Sequence, residues 1–369
     1  MNLVTIIDSH PADDIALISR GKATTYGQLR DQVAHLRGGL VSLGIEPGDR
    51  IALACGNNWY FVVSYLAALG AGAVVVPVNP SMPKPEIQKY LTVTGAKAIV
   101  VSPTAMAAFS AIDRSEVPDL EIVLTTASEP VDGFDCIGAL MDAEPTPVAP
   151  RTDDELAVLM FTSGTAGTPK AAMLTHGNLL ANLDQAQAHP GRHQTATDRV
   201  LGVLPLFHIF GLNVVLNLSF QAGSSVVLIE RFDPQSALEA IENHKVTVVS
   251  GAPTMWAAWA ALPGANPRAF ATVRLAVSGA AKLPVETAQT IDDRFDVVIR
   301  EGYGLTETAP FVSTATGTEA PRGSIGTLLK RLAQLLADAR VVRDPLLRVQ
   351  LVGALAELLQ DRSGILRVV

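Results

Sequence analysis

The residues best suited to chemistry lie between Met160 and Lys170, in the run M-F-T-S-G-T-A-G-T-P-K. An apolar stretch, Leu156 to Phe161, feeds a loop of small and hydroxyl residues that ends on Lys170. Gly164 and Gly167 let the backbone turn tightly and approach a ligand closely. Thr162, Ser163, Thr165 and Thr168, with Ala166 among them, set hydroxyl donors beside backbone N–H groups. A concave row of donors closed by a cation suits a polyphosphate. It is not the Walker pattern, in which the Lys directly follows the second glycine, because Thr168 and Pro169 intervene here. The plainer reading is a surface turn rich in Gly, Thr and Pro. So many hydroxyls before a single Lys weigh against it.

Three more constellations each follow an apolar run, and in open α/β sheets ligands bind beyond the strand ends. Pro205-Leu206-Phe207-His208-Ile209-Phe210-Gly211 offers His208 as a pocket wall, a gate or a general base, or as a histidine satisfied within its own loop. Ser278-Gly279-Ala280-Ala281-Lys282-Leu283-Pro284 has small residues that let a flat group reach the backbone, or it is a plain strand-to-helix connection. Glu301-Gly302-Tyr303-Gly304-Leu305-Thr306-Glu307-Thr308 flanks an aromatic with glycines, so that Tyr303 can stack on a planar base. Thr306 adds a hydroxyl there and Glu307 a hard oxygen suited to Mg²⁺, unless this is a tight turn with an incidental Glu.

T-S-G-T-A-G-T-P-K resembles the phosphate loop of the acyl-adenylate-forming (AMP-binding) superfamily, which includes acyl-CoA synthetases, luciferases and peptide-synthetase adenylation domains. E-G-Y-G-L-T-E-T is close to the second signature of that family, and P-L-F-H to a segment lining its acyl tunnel. T-Y-G-Q-L, P-G-D-R-I-A-L and G-A-G-A-V-V-V-P-V-N-P look like its early scaffold segments. The resemblance implies ATP, Mg²⁺ and coenzyme A as reactants or cofactors, and a carboxylic acid, nearest a medium- or long-chain fatty acid, as substrate. By the same resemblance Lys170 and the 162–168 loop hold the β- and γ-phosphates. Gly279, Ala280 and Ala281 wall the adenine, with Gly302, Tyr303 and Gly304 packing against it. Thr306 meets the α-phosphate, Glu307 and Thr165 hold the metal, and Phe207, His208, Gly211 and Gly302 line the acyl pocket. Lys170, Thr306 and Glu307 are the expected catalytic residues. The expected reaction is attack of the carboxylate on the α-phosphate, release of pyrophosphate, then transfer of the acyl group to a thiol.

The elements that must position these residues read as an α/β protein. Apolar strands alternate with amphipathic helices over the first half: Ala16–Ser19, a helix from Tyr26 to Leu43 capped by Thr25, then Arg50–Ala54, Trp59–Leu69, Ala73–Val78, Lys84–Thr94 and Ala98–Ser102. Glu144–Asp153, with three prolines, reads as a linker. Beyond it come strands at Val200–Leu204, Val226–Ile229, Val246–Ser250, Arg274–Val277 and Val297–Arg300, and helices near Asn178–Gln187, Pro234–Glu242, Pro253–Ala261 and Pro284–Asp293. His189–Asp198 is polar and reads as an exposed loop. Met255, Trp256 and Trp259 share one helix, which either walls an apolar tunnel or packs in the core. The predicted architecture is two similar doubly wound, largely parallel sheets: a first α/β subdomain over 1–150, a second carrying the ATP signatures over 151–327, and a helical tail over 328–369.

Bulk properties bound the remaining possibilities. The 369 residues are 48 % hydrophobic and 17 % charged, enough for a large core and too apolar for wholesale disorder. A net charge of −8 without a Lys/Arg stripe argues against a nucleic-acid partner. Cys55 and Cys136 form no ligand motif, which suits a reducing compartment. The N-terminus has no basic segment before its short apolar patch, and the longest apolar run, Leu66–Val78, is too short to span a bilayer. A cytoplasmic protein is expected, with room for peripheral membrane contact and for homo-oligomers. The family pattern is followed to Thr327; after it come Leu, Val, Ala and Arg at helical spacing, divided by Pro345. No later counterpart of the family's ribose-binding Asp, hinge or C-terminal lid Lys is found, so this reads as a shortened family member with an atypical tail.

Overall fold

The computed structural model describes residues 1–128, 131–162, 170–191 and 194–329, together with the backbone of 366–367. The chain divides into two compact units, Met1–Leu180 with Gly202–Arg231, and Ala181–Leu201 with Phe232–Val369.

The first unit is built on a sheet of β3 (Arg50–Ala54), β4 (Val74–Pro77), β5 (Ala98–Val101), β6 (Ile122–Thr125), β7 (Asp135–Cys136), β8 (Leu156–Thr162) and β9 (Lys170–Thr175), in the order β7-β6-β5-β3-β4-β8-β9. All neighbours run parallel except β8 and β9. Ala52, Val76 and Ile99 from its strands pack with Ile87 and Leu91 of α3 (Lys84–Thr94) and with Ala105 and Phe109 of α4 (Pro103–Ser110). α2 (Trp59–Gly70) packs against β3, β4 and α1 (Tyr26–Ser42), and its residues from Phe61 to Gly70 are all buried. A helix apolar all round belongs inside, so α1 takes the outer layer. Thr25 starts α1 with a reciprocal capping box to Gln28. In the same unit β1 (Ile15–Ser19) pairs in parallel with β11 (Ser225–Leu228) and antiparallel with β2 (Lys22–Thr25). The proline-rich stretch after Glu144 is docked here: Arg37 donates to the Thr146 carbonyl and the Ala149 N–H to the Gly70 carbonyl.

In the second unit β10 (Arg199–Gly202, its last residue in the first unit), β12 (Val248–Gly251), β13 (Leu275–Ser278) and β14 (Ile299–Gly304) pair in parallel, in that order. β15 (Phe311–Thr314) and β16 (Ser324–Leu328) continue antiparallel, and β17 (Leu366–Arg367) pairs with β16. α8 (Pro234–His244), α9 (Pro253–Ala261) and α10 (Val285–Phe295) pack beside one another. Pro234 and Pro253 open their helices, where a missing N–H costs nothing. The shorter helices are α5 (Ile137–Leu140), α6 (His176–Ala188, which crosses from the first unit to the second) and α7 (Leu218–Ala222).

The predicted α/β class of doubly wound, largely parallel sheets is what the chain adopts. The helix expected near 178–187 is α6; ahead of it Lys170 opens an unexpected antiparallel edge strand, pinned to β8 by six paired positions. The 189–198 stretch is a loop, exposed as expected at Pro190, Gly191 and 195–197 but anchored by His189, Gln194 and Asp198, which are buried. Asp198 accepts from the Thr247 hydroxyl and pairs with Arg274, which draws the loop inward and holds its carboxyl below the usual range in spite of burial. Leu328, the predicted start of a helical tail, instead closes β16. The rest of that expectation, over 330–365, lies outside the described residues. No helix among the described residues is long and apolar enough to cross a membrane.

Candidate functional site

The phosphate-loop candidates Ser163, Gly164, Thr165, Ala166, Gly167 and Thr168 lie outside the described residues; the two strands that hold the loop are within them. Thr162 ends β8 opposite Lys170, the first residue of β9, and its hydroxyl donates to the Lys170 carbonyl at 3.4 Å. Next to it Phe161 stacks on Tyr90 of α3, ring centroids 3.6 Å apart and planes within 15°. A loop carried between two paired strands has its ends fixed whatever its own conformation. The Lys170 side chain stands at the edge of the sheet, exposed.

Phe207, His208 and Gly211 also belong to the first unit. Their segment is pinned by a residue that carries no functional signal in the sequence. Asn57, 3 % exposed, donates to the carbonyls of Gly202 (3.1 Å) and Leu204 (2.7 Å), and accepts the Leu206 N–H at 2.9 Å. Gly211 is required by close approach: a Cβ there would lie 2.1 Å from the Pro205 carbonyl oxygen. His208 accepts the Phe210 N–H at Nδ1 (3.2 Å), so the neutral ring carries its proton on Nε2. Desolvation pulls its pKa below the ordinary histidine value, although the residue as a whole is exposed. Its Nε2–H is then the group it presents, and no carboxylate among the described residues is bonded to the ring. After it, Phe210–Asn217 winds as a π-helix, a form that concentrates at functional sites.

The second unit holds the other two turns. Gly302 and Tyr303 of β14 pair with Thr314 and Ser313 of β15, and the register slips between Tyr303 and Gly304. A Cβ on Gly304 would fall 2.3 Å from the Pro310 carbonyl oxygen, so no other residue fits without moving the chain. Gly302 is looser, its nearest contact 3.3 Å away. The chain then makes a single 3-10 turn, Thr306–Thr308. Asn182 of α6 clamps this turn, donating to the Thr308 and Phe311 carbonyls (3.2 and 3.1 Å) and accepting the Phe311 N–H (3.3 Å). Asn182 is another residue that sequence reasoning missed. The available signal was a polar residue on the apolar side of a helix, flanked by Leu179 and Leu183, both fully buried. Within this pinned turn Thr306 is half-buried and Glu307 exposed, with no hydrogen bond or ion pair to the Glu307 carboxylate among the described residues. A free carboxylate beside a rigid backbone suits a hard cation that takes most of its other ligands from phosphate and water. No cluster of three or more His, Cys, Asp or Glu side chains that could hold a metal ion occurs among the described residues.

Gly279, Ala280 and Ala281 connect β13 to α10 in the same unit, with Ala280 in the left-handed region at φ +71°. Glu301, one residue before Gly302, is 7 % exposed and accepts the Leu283 N–H at 3.0 Å. Burial pushes its carboxyl above the ordinary range, more than the Leu283 N–H and Lys282 pull it down. Trp256 and Trp259 are fully buried and pack edge-on against each other and with Phe270. The Trp259 indole donates to the Pro234 carbonyl. The two tryptophans are core, and the tunnel-wall alternative does not hold for them.

A family profile described as AMP-binding enzyme matches residues 5–359. The chain belongs to the AMP-binding enzyme family. The match continues past Thr327, so the change of pattern read there does not bound it. Among AMP-binding relatives, 4-coumarate–CoA ligase 3 of Arabidopsis thaliana is 32 % identical over 85 % of this chain and 57 % of its own length. A long-chain-fatty-acid–CoA ligase of Bacillus subtilis is 31 % identical over 85 % of this chain and 61 % of its own. The chain thus spans about six-tenths of the length of these curated relatives. The crystal structure of ATP-bound MatB from Rhodopseudomonas palustris superposes with a TM-score of 0.78 at 27 % identity, over 89 % of this chain and 64 % of that one.

Proposed function

We propose that this AMP-binding protein activates a carboxylic acid with ATP, forming an acyl adenylate and pyrophosphate, and that coenzyme A then takes the acyl group. The observation that carries the reading is the Leu305–Phe311 turn: a clamped backbone that presents Thr306 and a Glu307 carboxylate with no partner among the described residues. Phosphoryl and nucleotidyl transfer need positioning and charge neutralisation more than covalent help from the protein. Lys170 and the 162–168 loop would hold the β- and γ-phosphates. Tyr303 would stack on the adenine beside Gly279, Ala280 and Ala281, with Gly302 and Gly304 letting it approach. Thr306 would donate to the α-phosphate. Mg²⁺, held by Glu307 and Thr165, would supply charge neutralisation on the phosphates. Phe207, His208, Gly211 and Gly302 would line the acyl pocket, His208 as a neutral wall.

The acyl carboxylate would attack the α-phosphorus as the bond to pyrophosphate breaks. The thiolate sulfur would then attack the acyl carbon, and AMP would leave. A medium- or long-chain fatty acid is the proposed substrate, in the cytoplasm, and the Bacillus relative supports it. The coumarate relative makes an aryl acid the competitor.

Pyrophosphate exchange with a panel of fatty and hydroxycinnamic acids tests the reading. Exchange should appear with a fatty acid and fall about 10²- to 10³-fold in Glu307→Ala and in Lys170→Ala. Undiminished exchange in both variants contradicts the site assignment. Exchange with hydroxycinnamates alone contradicts the substrate. Nucleotide binding without exchange would mark a binding protein rather than an enzyme. Acyl transfer to a carrier protein in preference to coenzyme A would overturn the proposed acceptor.

A further inference from the structure

The turn between β13 and α10 contains a residue that should resist its own conformation. Ala280 sits at φ +71°, a region that a Cβ disfavours. Such residues persist only where the surroundings over-determine them. The turn is tied at both ends. The Gly279 N–H donates to the Gly251 carbonyl at 3.2 Å. The Leu283 N–H donates to the Glu301 carboxylate at 3.0 Å, and the Leu283 side chain is itself buried. Glu301 lies opposite Ser278 in the parallel register of β13 and β14, and its own carbonyl accepts the Ala315 N–H at 2.8 Å. Its second carboxylate oxygen has no hydrogen-bond partner among the described residues. Burying a carboxylate is costly, and an apolar side chain would fill the space at lower cost. What an apolar side chain could not supply is the acceptor for the Leu283 N–H.

We propose that Glu301 is a positioning residue: it latches Leu283, keeps Ala280 left-handed, and so holds the Gly279–Ala281 backbone in place as the nucleotide wall. The latch stands on the geometry of the second unit alone. Its consequence for nucleotide binding rests on the adenylation reading above.

A double-mutant cycle tests the latch, because glycine adopts the left-handed conformation unaided and needs no latch. Glu301→Ala should lower the melting temperature by about 4 °C. It should also weaken binding of ATP with magnesium about tenfold, the scale of one hydrogen bond to a charged group. In the Ala280→Gly background both losses should shrink by half or more. Glu301→Gln keeps an acceptor oxygen and should bind ATP like the wild type. Should Glu301→Ala fail to fold, Glu301→Met replaces it in the same cycle. Equal melting losses in the two backgrounds overturn the latch, whatever happens to ATP. Coupled melting losses with unchanged ATP affinity overturn the positioning role. A wild type that binds no ATP removes the nucleotide half together with the adenylation reading, and the melting cycle still decides the latch.

Discussion

The Pro205–Gly211 segment of the first unit and the Leu305–Phe311 turn of the second are held by the same device. In each, a buried asparagine from elsewhere in the unit commits its amide to the backbone, donating twice and accepting once. Asn57 does so at 2.7–3.1 Å and Asn182 at 3.1–3.3 Å. The two differ in the chain beyond the clamp. The first segment runs into the buried π-helix Phe210–Asn217, so its clamp serves a wall made of packed side chains. The second runs into β15, leaving a single turn whose exposed Glu307 carboxylate has no partner among the described residues. Identical polar clamps can thus build an inert surface or present a charge, depending on how much core backs them.

Removing the clamps should separate these roles. Asn57→Ala strands the Leu204 carbonyl and the Leu206 N–H in a buried place, the Gly202 carbonyl keeping the Ile229 N–H, and should cost about 4 kcal/mol, read as a lower denaturation midpoint of the first unit. A cost below about 1 kcal/mol would mean that water replaces the amide there. Acid should then distinguish the units. His176, fully buried, accepts the Leu3 N–H at Nδ1, and burial holds its pKa at about 4 against the ordinary 6.5. A depressed histidine contributes stability that is present above pH 6.5 and lost as pH falls through about 4. The loss should approach about 3 kcal/mol and be much smaller in His176→Gln. Glu301, pushed up by burial, has the opposite sign: its contribution is present at acid pH and declines as pH rises through its folded pKa. Stability curves at pH 7 and 4.5 that fall equally for wild type and His176→Gln would remove this contrast.

Asn182→Ala should cost less, about 2 kcal/mol, because its bonds are longer, but it should lower pyrophosphate exchange more than Asn57→Ala does. The reverse ranking in exchange would break the proposed division between wall and charged turn. The smallest effect is expected from Gly302→Ala, about 1 kcal/mol or less, since its added Cβ meets nothing closer than 3.3 Å. Gly304→Ala, at 2.3 Å from Pro310, should be clearly worse. Equal stability of the two variants would mean that the Pro310 segment moves aside freely.

Much of this was legible from local pattern. α3 at Lys84–Thr94, α9 at Pro253–Ala261 and β3 at Arg50–Ala54 lie where apolar spacing and flanking Pro and Gly put them. Thr25 with Gln28 marks the start of α1 within four residues of chain. The motif segments were legible for the same reason: unusual residue types packed into short windows. Lys170 at the head of a strand was not, because K-A-A-M-L-T alternates too weakly to read as one, and only pairing with β8 makes it so. β15 and β16 were missed for the same cause.

The sequence by itself determined the α/β class, the helix starts and the identity of the chemical groups, since these depend on neighbours a few residues apart. The tertiary structure alone decided that two asparagines are clamps, that two tryptophans are core, and that Glu301 meets Leu283. Asn182 finds its partners 126 and 129 positions away, and Asn57 up to 149. Contacts at that separation arise only once the sheets have brought distant strand ends together, and no window of sequence contains them.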